Sequence, residues 1–464
     1  MGNSNTLFGT DGIRGQVGTF LTPALALQVG YSTGAILRQE AAPGSAILLG
    51  QDSRTSGPML WAAIAAGLTA AGWDVWHLGL CPTPAISYLC AHEPELAGGL
   101  MISASHNPPA DNGIKIFDAR GHKIPDSWQR AIETHLAQVH PSPTTGWGTI
   151  YPQPDLLGTY ERSLLEPLSH SSAAGLRGLH IVLDLAWGSA TRCAPQVFAA
   201  LGAQLTLLHD EPRGDRINVQ CGSTHLEPLQ SQVLAAGADL GFAFDGDADR
   251  VLAVDHTGQA VNGDHLLYLW GQELLHQGQL PDNTLITTVM ANLGFERAWQ
   301  NLRGTFVRTP VGDQHVHGEM LKRGAMLGGE QSGHILCRHY GISGDGILTA
   351  LHLAALVQRQ ATLHELVRQS FQSFPQLLHN VPVADSEKRR HWQRHEHVRH
   401  AVDQAIAALG EQGRVLIRAS GTEPVIRVMV EAEDLSAASH WTSYLSRTIA
   451  LHLGTASSPE FAPA

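Results

Sequence analysis

Three carboxylates alternate in Asp245-Gly246-Asp247-Ala248-Asp249, with Arg250 next in line. Carboxylates at i, i+2 and i+4 repel one another unless a positive group joins them. The small residues between them let a loop curl until the oxygens converge. Oxygen-only ligation suits Mg2+ or Ca2+. The EF-hand pattern does not fit, because Arg250 stands where that loop needs Gly and His256 where it needs Glu. A cation held by few carboxylates completes its shell with phosphate or water, which is Mg2+ behaviour. The apolar flanks, Leu240 to Phe244 and Val251 to Val254, argue against a merely solvated acidic turn.

Three further loops carry groups of matching chemistry. Ser103-Ala104-Ser105-His106-Asn107-Pro108 follows the apolar run Gly99 to Ile102. It therefore lies at the C-terminal end of a strand, where open α/β sheets place ligands. A serine beside His106, with Lys115 further on, can be an activated nucleophile. Residue chemistry alone does not rank Ser103 against Ser105. In Gly328-Gly329-Glu330-Gln331-Ser332-Gly333-His334, Glu330 can accept from sugar hydroxyls and Ser332 can donate or accept. His334 can act as acid or base. In Arg418-Ala419-Ser420-Gly421-Thr422-Glu423-Pro424, with Arg427 nearby, backbone N–H groups, hydroxyls and forked guanidinium donors make a phosphate cradle. It is not a Walker loop. A metal site, a hydroxyl-binding loop, a phosphate cradle and a candidate serine together imply phosphoryl transfer on a phosphorylated polyol or sugar, a reaction catalysed chiefly by positioning and charge neutralisation.

The elements that must position these loops share one grammar. Ala46 to Gly50, His180 to Leu183 and Leu285 to Met290 are short apolar runs that end in a polar turn and lead into a helical pattern. Strand, turn and helix is the unit of a parallel α/β sheet. Its recurrence at intervals of roughly 105–130 residues predicts three related α/β domains. Beyond about residue 375 the pattern changes. A charged stretch from Glu387 to Arg399 precedes strand patterns at Arg414 to Arg418 and Ile426 to Glu431 and a closing helix from Ser436 to Leu453. The expected limits are 1–150 (serine loop), 151–257 (metal loop), 258–374 (sugar loop), 375–453 (smaller α+β domain with the phosphate cradle) and 454–464 (flexible tail).

Composition excludes several classes. The 464 residues are 43% hydrophobic and 16% charged, a globular balance. The net charge of −12, with four lysines among 30 basic residues, is a poor match to nucleic acid. No apolar run is long enough to span a membrane. Five scattered cysteines without a CxxC pair argue against a disulfide framework and for a reducing, cytoplasmic setting. His391, His395, His397 and His400 cluster, the first two at helical i, i+4 spacing. A solvated helix face accounts for them, with transition-metal binding as the sharper alternative.

Ser105-His106-Asn107-Pro108, Asp245 to Arg250, Gly329 to His334 and Arg418 to Pro424, in that order and spacing, resemble the α-D-phosphohexomutases. Phe8 to Gly15 resembles their N-terminal loop. The resemblance implies four domains around a central cleft, three α/β domains with mixed sheets and a smaller mobile C-terminal α+β lid. It implies that Ser105 is phosphorylated and that Ser105, Asp245, Asp247 and Asp249 hold Mg2+. Arg14 and Arg250 would then flank the phosphoryl group, with Lys115 and His334 as acid/base groups and His106 beside the serine. Glu330 and Ser332 would bind sugar hydroxyls, and Arg418, Ser420, Gly421, Thr422 and Arg427 the substrate phosphate. A lysine base needs a depressed pKa, which burial near other cations would supply. The implied partner is a small phosphosugar, interconverted through a hexose 1,6-bisphosphate that also serves as activator. A possible homodimer is left open. Gln331 and Gly421, where relatives acting on mannose and glucose phosphates typically carry Met and Asn, favour the glucosamine branch. Val219 to His225 and Val289 to Gly294 also look like that branch, while Ala248 and Pro109-Ala110 depart from it. The alternatives are a phosphomannomutase/phosphoglucomutase and a catalytically silent phosphosugar-binding protein, which would lack catalytic groups that are all present.

Overall fold

Ile47, Leu48 and Leu49 expose nothing to solvent, as expected of a parallel strand covered by helices on both faces. In the computed structural model, which describes residues 7–9, 11–38, 45–138, 146–169, 175–420 and 423–454, they lie in the strand Ala46–Gln51 of a six-stranded sheet. The sheet order is Ile13–Gln16, Asp111–Asp118, Leu96–Ile102, Ala46–Gln51, Asp74–Leu80, Ile150–Pro152. The last four strands are parallel and the first two join as antiparallel neighbours. Pairing Asp111–Asp118 against Leu96–Ile102 sets Lys115 opposite Met101, close to the serine turn.

The same mixed pattern recurs twice. Ala260–Val261, Val251–Asp255, Leu240–Phe244, His180–Asp184 and Gln204–Leu208 form a second sheet, and Thr305–Thr309, Thr284–Thr288, Leu327–Gly329 and Ile335–Cys337 a third. In each, an antiparallel hairpin partner carries the chain back from the strand end where a loop sits: Val251–Asp255 after the aspartate loop and Ile335–Cys337 after the glutamate loop. The three strand, turn and helix units are present as the sequence predicts, with helices Gly57–Ala70, Ala194–Ala200 and Leu293–Asn301 following their strands.

The chain divides into two compact units, one of residues 1–288 and 304–370, the other of residues 289–303 and 371–464. The first holds the three sheets. The second holds an antiparallel sheet of Gln376–Pro382, Val425–Ala432 and Gly413–Ala419. Helices Glu396–Leu409 and Leu435–Leu453 close its core through Val398, Ala405, Leu445 and Ile449. The helix Leu293–Asn301 belongs to this second unit, although chain order alone assigned it to the third α/β repeat. His391 and His395 do not share a helix: Ser386–Arg390 ends before His391, and the 3-10 turn Trp392–Arg394 separates the two. Residues 455–464 of the expected tail lie outside the described residues. Among the described residues no helix is long and apolar enough to cross a membrane.

Glycines decide how closely helices Pro23–Leu37 and Gly57–Ala70 approach. A Cβ on Gly67 would stand 2.1 Å from the Leu27 carbonyl oxygen, and one on Gly30 2.4 Å from that of Ile64. Backbone atoms cannot rotate away as a side chain can. Gly67→Ala should therefore lower stability by about 1–3 kcal/mol, seen as a fall in melting temperature. Alanine's better helix propensity, worth about 1 kcal/mol, works the other way, so an unchanged or higher midpoint would show that the helices can separate cheaply.

Candidate active site

Ser105 occupies the turn after Leu96–Ile102 with φ +51°, a left-handed conformation that costs a non-glycine residue about 1–2 kcal/mol. What holds it there is a buried guanidinium. Arg54 Nη2 donates to the carbonyls of Ser105 at 3.0 Å and Asn107 at 2.7 Å, and Nη1 to those of Pro108 at 2.5 Å and Asp111 at 2.8 Å. Its Nε donates to Asp52 at 3.0 Å. Burial pushes the Asp52 carboxyl up, and Arg54 and the Ser103 hydroxyl hold it back. Asn218 adds donations to the Ser105 and Asn107 carbonyls at 2.8 and 3.1 Å. The two serines now separate. Ser103 Oγ donates to Asp52 at 2.7 Å and accepts from the Ser105 N–H at 2.8 Å, so it is occupied by the turn. Ser105 Oγ instead donates to Asp245 at 2.6 Å.

The aspartate loop meets this turn closely. A Cβ on Gly246 would stand 2.7 Å from the Ser105 carbonyl oxygen, so only glycine allows the approach. Ala248 adopts φ +57°, a conformation glycine would take without strain. Asp245, Asp247 and Asp249 are at most 2% exposed, and their carboxylate oxygens lie within 4.8 Å of one another. Burial, then Asp249 and Asp247, push the Asp245 carboxyl well above its usual range. Among the described residues Asp247 Oδ1, which is buried, has no hydrogen-bond partner, while Oδ2 accepts from Thr83 Oγ1 at 2.5 Å. Three buried hard oxygen donors, one with a lone pair left over, fit a small divalent cation.

Lys115 supplies the positive charge in their midst. Its Nζ donates to Asp247 at 2.7 Å and Asp249 at 2.8 Å and lies 3.5 Å from Asp11. This corrects the expectation of a depressed pKa. Burial does push the ammonium down, but its neighbours are carboxylates, and Asp11, Asp247 and Asp249 together raise it well above the ordinary lysine value. Lys115 in this arrangement is held in its protonated form.

The two histidines differ. His334 is driven down by burial but raised overall by Asp249 and Asp313, whose oxygens lie 3.4 and 3.5 Å from its ring. His106 is pushed down to about 4 by burial, Arg250 and Arg14. Arg250 Nη1 lies 3.0 Å from His106 Nδ1 and aims an N–H at it. That occupies the nitrogen's one lone pair, so the Ser105 proton, 3.2 Å from the same atom, goes to Asp245 instead. Arg14 pairs with Asp11, and its buried Nε has no partner among the described residues. Asp11 also pairs with Lys123, which reaches Asp313.

The sugar-loop candidates lie in this same unit. Gly333, at φ +89°, lets the loop pack against the strand after the aspartates, where a Cβ would stand 2.0 Å from the Val251 oxygen. Glu330 accepts from the Gly312 N–H at 3.0 Å, and the buried Ser332 Oγ has no partner among the described residues. The phosphate-cradle candidates belong to the second unit. Arg418 and Arg427 are direct cross-strand partners. Two like charges so placed are unfavourable without an anion between them, and burial with the Arg427 charge pushes Arg418 down. Arg427 donates to Glu423 at 2.6 Å. Ser420 Oγ accepts from the Glu423 N–H at 3.2 Å. Gly421 and Thr422 lie outside the described residues.

Models of the phosphoglucomutase/phosphomannomutase family match the chain domain by domain: alpha/beta/alpha domain I over residues 5–142, domain II over 159–258, domain III over 262–374 and the C-terminal domain over 378–443. The chain belongs to the α-D-phosphohexomutase family. Phosphoglucosamine mutases of Acaryochloris marina and Nostoc punctiforme are 57% and 56% identical to it, over 96% and 97% of this chain and 98% and 92% of their own. A phosphoglucomutase/phosphomannomutase family protein of Burkholderia thailandensis superposes with a TM-score of 0.81 at 26% identity, covering 97% of this chain and 98% of that one. The N-acetylphosphoglucosamine mutase of Aspergillus fumigatus, solved with GlcNAc-6P and magnesium, shares the fold at a TM-score of 0.68 and 18% identity, over 97% and 96% of the two chains. The chain is thus a phosphohexomutase of the isomerase class.

The four motifs did not reveal Arg54, Thr83, Asn218 or Asp313, which act on the site from distant segments. Arg54→Met removes the partner of buried Asp52 and the donor to four carbonyls; the melting temperature should drop by the equivalent of about 3–5 kcal/mol. Arg54→Lys should recover only part of this, since one ammonium cannot span the fork. A lysine variant equal to the parent in melting temperature and in turnover would remove the guanidinium from this role.

Proposed function

We propose that the chain interconverts glucosamine 6-phosphate and glucosamine 1-phosphate, with Ser105 giving and recovering the phosphoryl group. One observation carries the assignment to Ser105. Its hydroxyl is 2.6 Å from Asp245 in a buried three-carboxylate cluster, while the Ser103 hydroxyl is consumed inside the turn. The glucosamine preference is supported by the identity of 57% to a phosphoglucosamine mutase over nearly the whole chain.

In this reading the Ser105 oxygen–phosphorus bond breaks as a sugar hydroxyl oxygen bonds to phosphorus, forming the 1,6-bisphosphate. After the sugar turns, Ser105 takes the other phosphoryl. Asp245, Asp247 and Asp249, with an oxygen on Ser105, would hold Mg2+, and the bound ion supplies charge neutralisation for the transferring group. Arg14 and Arg250 bring fixed positive charge to the same group. His334 and Lys115, both held toward their protonated forms by buried carboxylates, are the proton donors. In each transfer one of them gives its proton to the oxygen that leaves phosphorus and is reprotonated by the proton released from the attacking hydroxyl, so the step ends with the pair as it began. Glu330 and Ser332 bind sugar hydroxyls; the unpartnered Ser332 Oγ is free to do so. Arg418, Ser420, Gly421, Thr422 and Arg427 hold the phosphate that is not transferred. Because they read a dianion and not the sugar carbon bearing it, one cradle serves phosphate at C1 or C6. Domain limits near 150, 257 and 374 complete the reading. Five free, buried cysteines support a cytoplasmic setting.

Ser105→Ala should abolish turnover while circular dichroism and melting stay close to the parent; substantial mutase activity in that variant with added bisphosphate would take Ser105 out of the role. Arg418→Ala deletes binding common to ground and transition states, so KM should rise roughly 10- to 100-fold with kcat little changed. Substrate choice is settled by comparing kcat/KM for glucosamine, glucose and mannose phosphates on phosphorylated enzyme. Glucosamine should lead, and equal or higher values for glucose or mannose would assign the chain to the neighbouring branch.

A further inference from the structure

Three histidines converge in the second compact unit, outside every motif used above. His395 caps the start of helix Glu396–Leu409, His397 is that helix's second residue, and His452 lies in the last turn of Leu435–Leu453. One ring nitrogen from each lies within 4.8 Å of the other two. The ring centroids are 5.8 Å apart for His395 and His397, 5.0 Å for His395 and His452, and 4.6 Å for His397 and His452. The helices that carry them are fixed by the core: Val398 follows His397, Leu453 follows His452, and both are buried in one apolar cluster. Among the described residues, no hydrogen bond or ion pair engages the three rings, and His395 Nδ1 is buried with no partner.

We propose that His395, His397 and His452 bind a divalent transition-metal ion of the Zn2+ class, clipping the end of the last helix to the start of its neighbour. The donor set selects the metal. Three neutral imidazoles suit Zn2+, Ni2+ or Co2+, whereas Mg2+ demands oxygen. Tetrahedral coordination at 2.0–2.1 Å sets the nitrogens about 3.3 Å apart. Rings that no hydrogen bond restrains close the remaining distance by side-chain rotation. That rotation unstacks His397 from His452, whose planes now meet at 21°. A fourth position is left for water. No carboxylate backs the rings within the cluster, so affinity rests on the imidazoles alone. The spacing of His391 and His395 in sequence pointed elsewhere. The partner that completes the set, His452, lies more than fifty residues further on, near the end of another helix.

The test uses the full chain in saturating Mg2+, which occupies the aspartate site. Zn2+ is titrated against a competing chelator, and Co2+ binding is followed in the visible spectrum. The parent should bind one equivalent more tightly than His397→Ala and His452→Ala by at least tenfold, with the intense bands of tetrahedral Co2+. Zn2+ should raise the melting temperature of the parent and not of His452→Gln, a variant that keeps the size and polarity of the side chain at a half-exposed position. Asp247→Asn, in the aspartate cluster, and His209→Ala, in a separate grouping of Asp184, His209 and Cys221 whose possible ligand atoms also lie within 4.8 Å of one another, should keep the site. Equal Zn2+ affinity in the parent and both histidine variants overturns the proposal. So does a loss of binding that follows Asp247→Asn or His209→Ala instead.

Discussion

Asp245, Asp247 and Asp249 bring three carboxylates within 4.8 Å of one another in a region closed to solvent, and the rest of the first unit is arranged around that fact. At an effective dielectric of about 20, two unit charges about 4 Å apart repel by about 4 kcal/mol. Three such pairs approach the whole stability of a domain, about 5–15 kcal/mol. The chain answers in two ways. Asp245 is pushed toward its neutral form, and Lys115 inserts an ammonium between the other two. Asp11 then needs cations of its own, which Arg14 and Lys123 provide, and Lys123 reaches on to Asp313 beside His334. The alternation of charge runs from the first sheet through the second to the third. A divalent ion entering among the aspartates would displace Lys115 from part of its partnership and so alter the proton affinity of that lysine.

A charge lattice of this kind positions groups only if the backbone beneath it is stiff. The left-handed Ser105 is held by donors on its own carbonyl and on those just after it, all from Arg54 and Asn218. Their segments, near residues 54 and 218, belong to different sheets, so the serine turn is a joint between two α/β repeats. Gly246 is the complementary element, since the aspartate loop reaches the Ser105 carbonyl only because it carries no Cβ there. Strain at one residue and absence of a side chain at another are two halves of the same close approach.

This separates what was legible in the sequence from what was not. The strand-ending motifs were readable because local chemistry and local conformation coincide. Alternating aspartates in a curled loop, a serine turn after an apolar run and two arginines around a Ser-Gly-Thr turn each carry their meaning within ten residues. The three repeats were readable because a buried parallel strand has a continuous apolar signature, as in Ile47 to Leu49. Gln376–Pro382 was not, because it alternates half-buried and exposed residues and ends in proline. Arg54, Thr83 and Asn218 were invisible for another reason. Their importance is a distance, 51 to 164 residues away in sequence, and no composition or period encodes it. Lys115 was found but its chemistry was misjudged: sequence shows that a lysine will be buried, not which sign of charge will surround it.

Under the proposed function a phosphate is met at C1 or at C6, and the residues assigned to each of the two compact units differ in kind. In the first unit position is over-determined: a strained turn, a caged carbonyl set and a dense array of buried ions fix the place of Ser105. At the cradle, by contrast, Arg418 and Arg427 face each other across a strand pair as like charges, an arrangement whose unfavourable energy falls when any dianion sits between them. Recognition that depends on net charge and forked donors tolerates either attachment point of the phosphate. In the proposed reading, an exchange between C1 and C6 calls for both rigid chemistry and permissive anchoring. A cradle that read the sugar carbon would bind one isomer well and leave the intermediate no second pose.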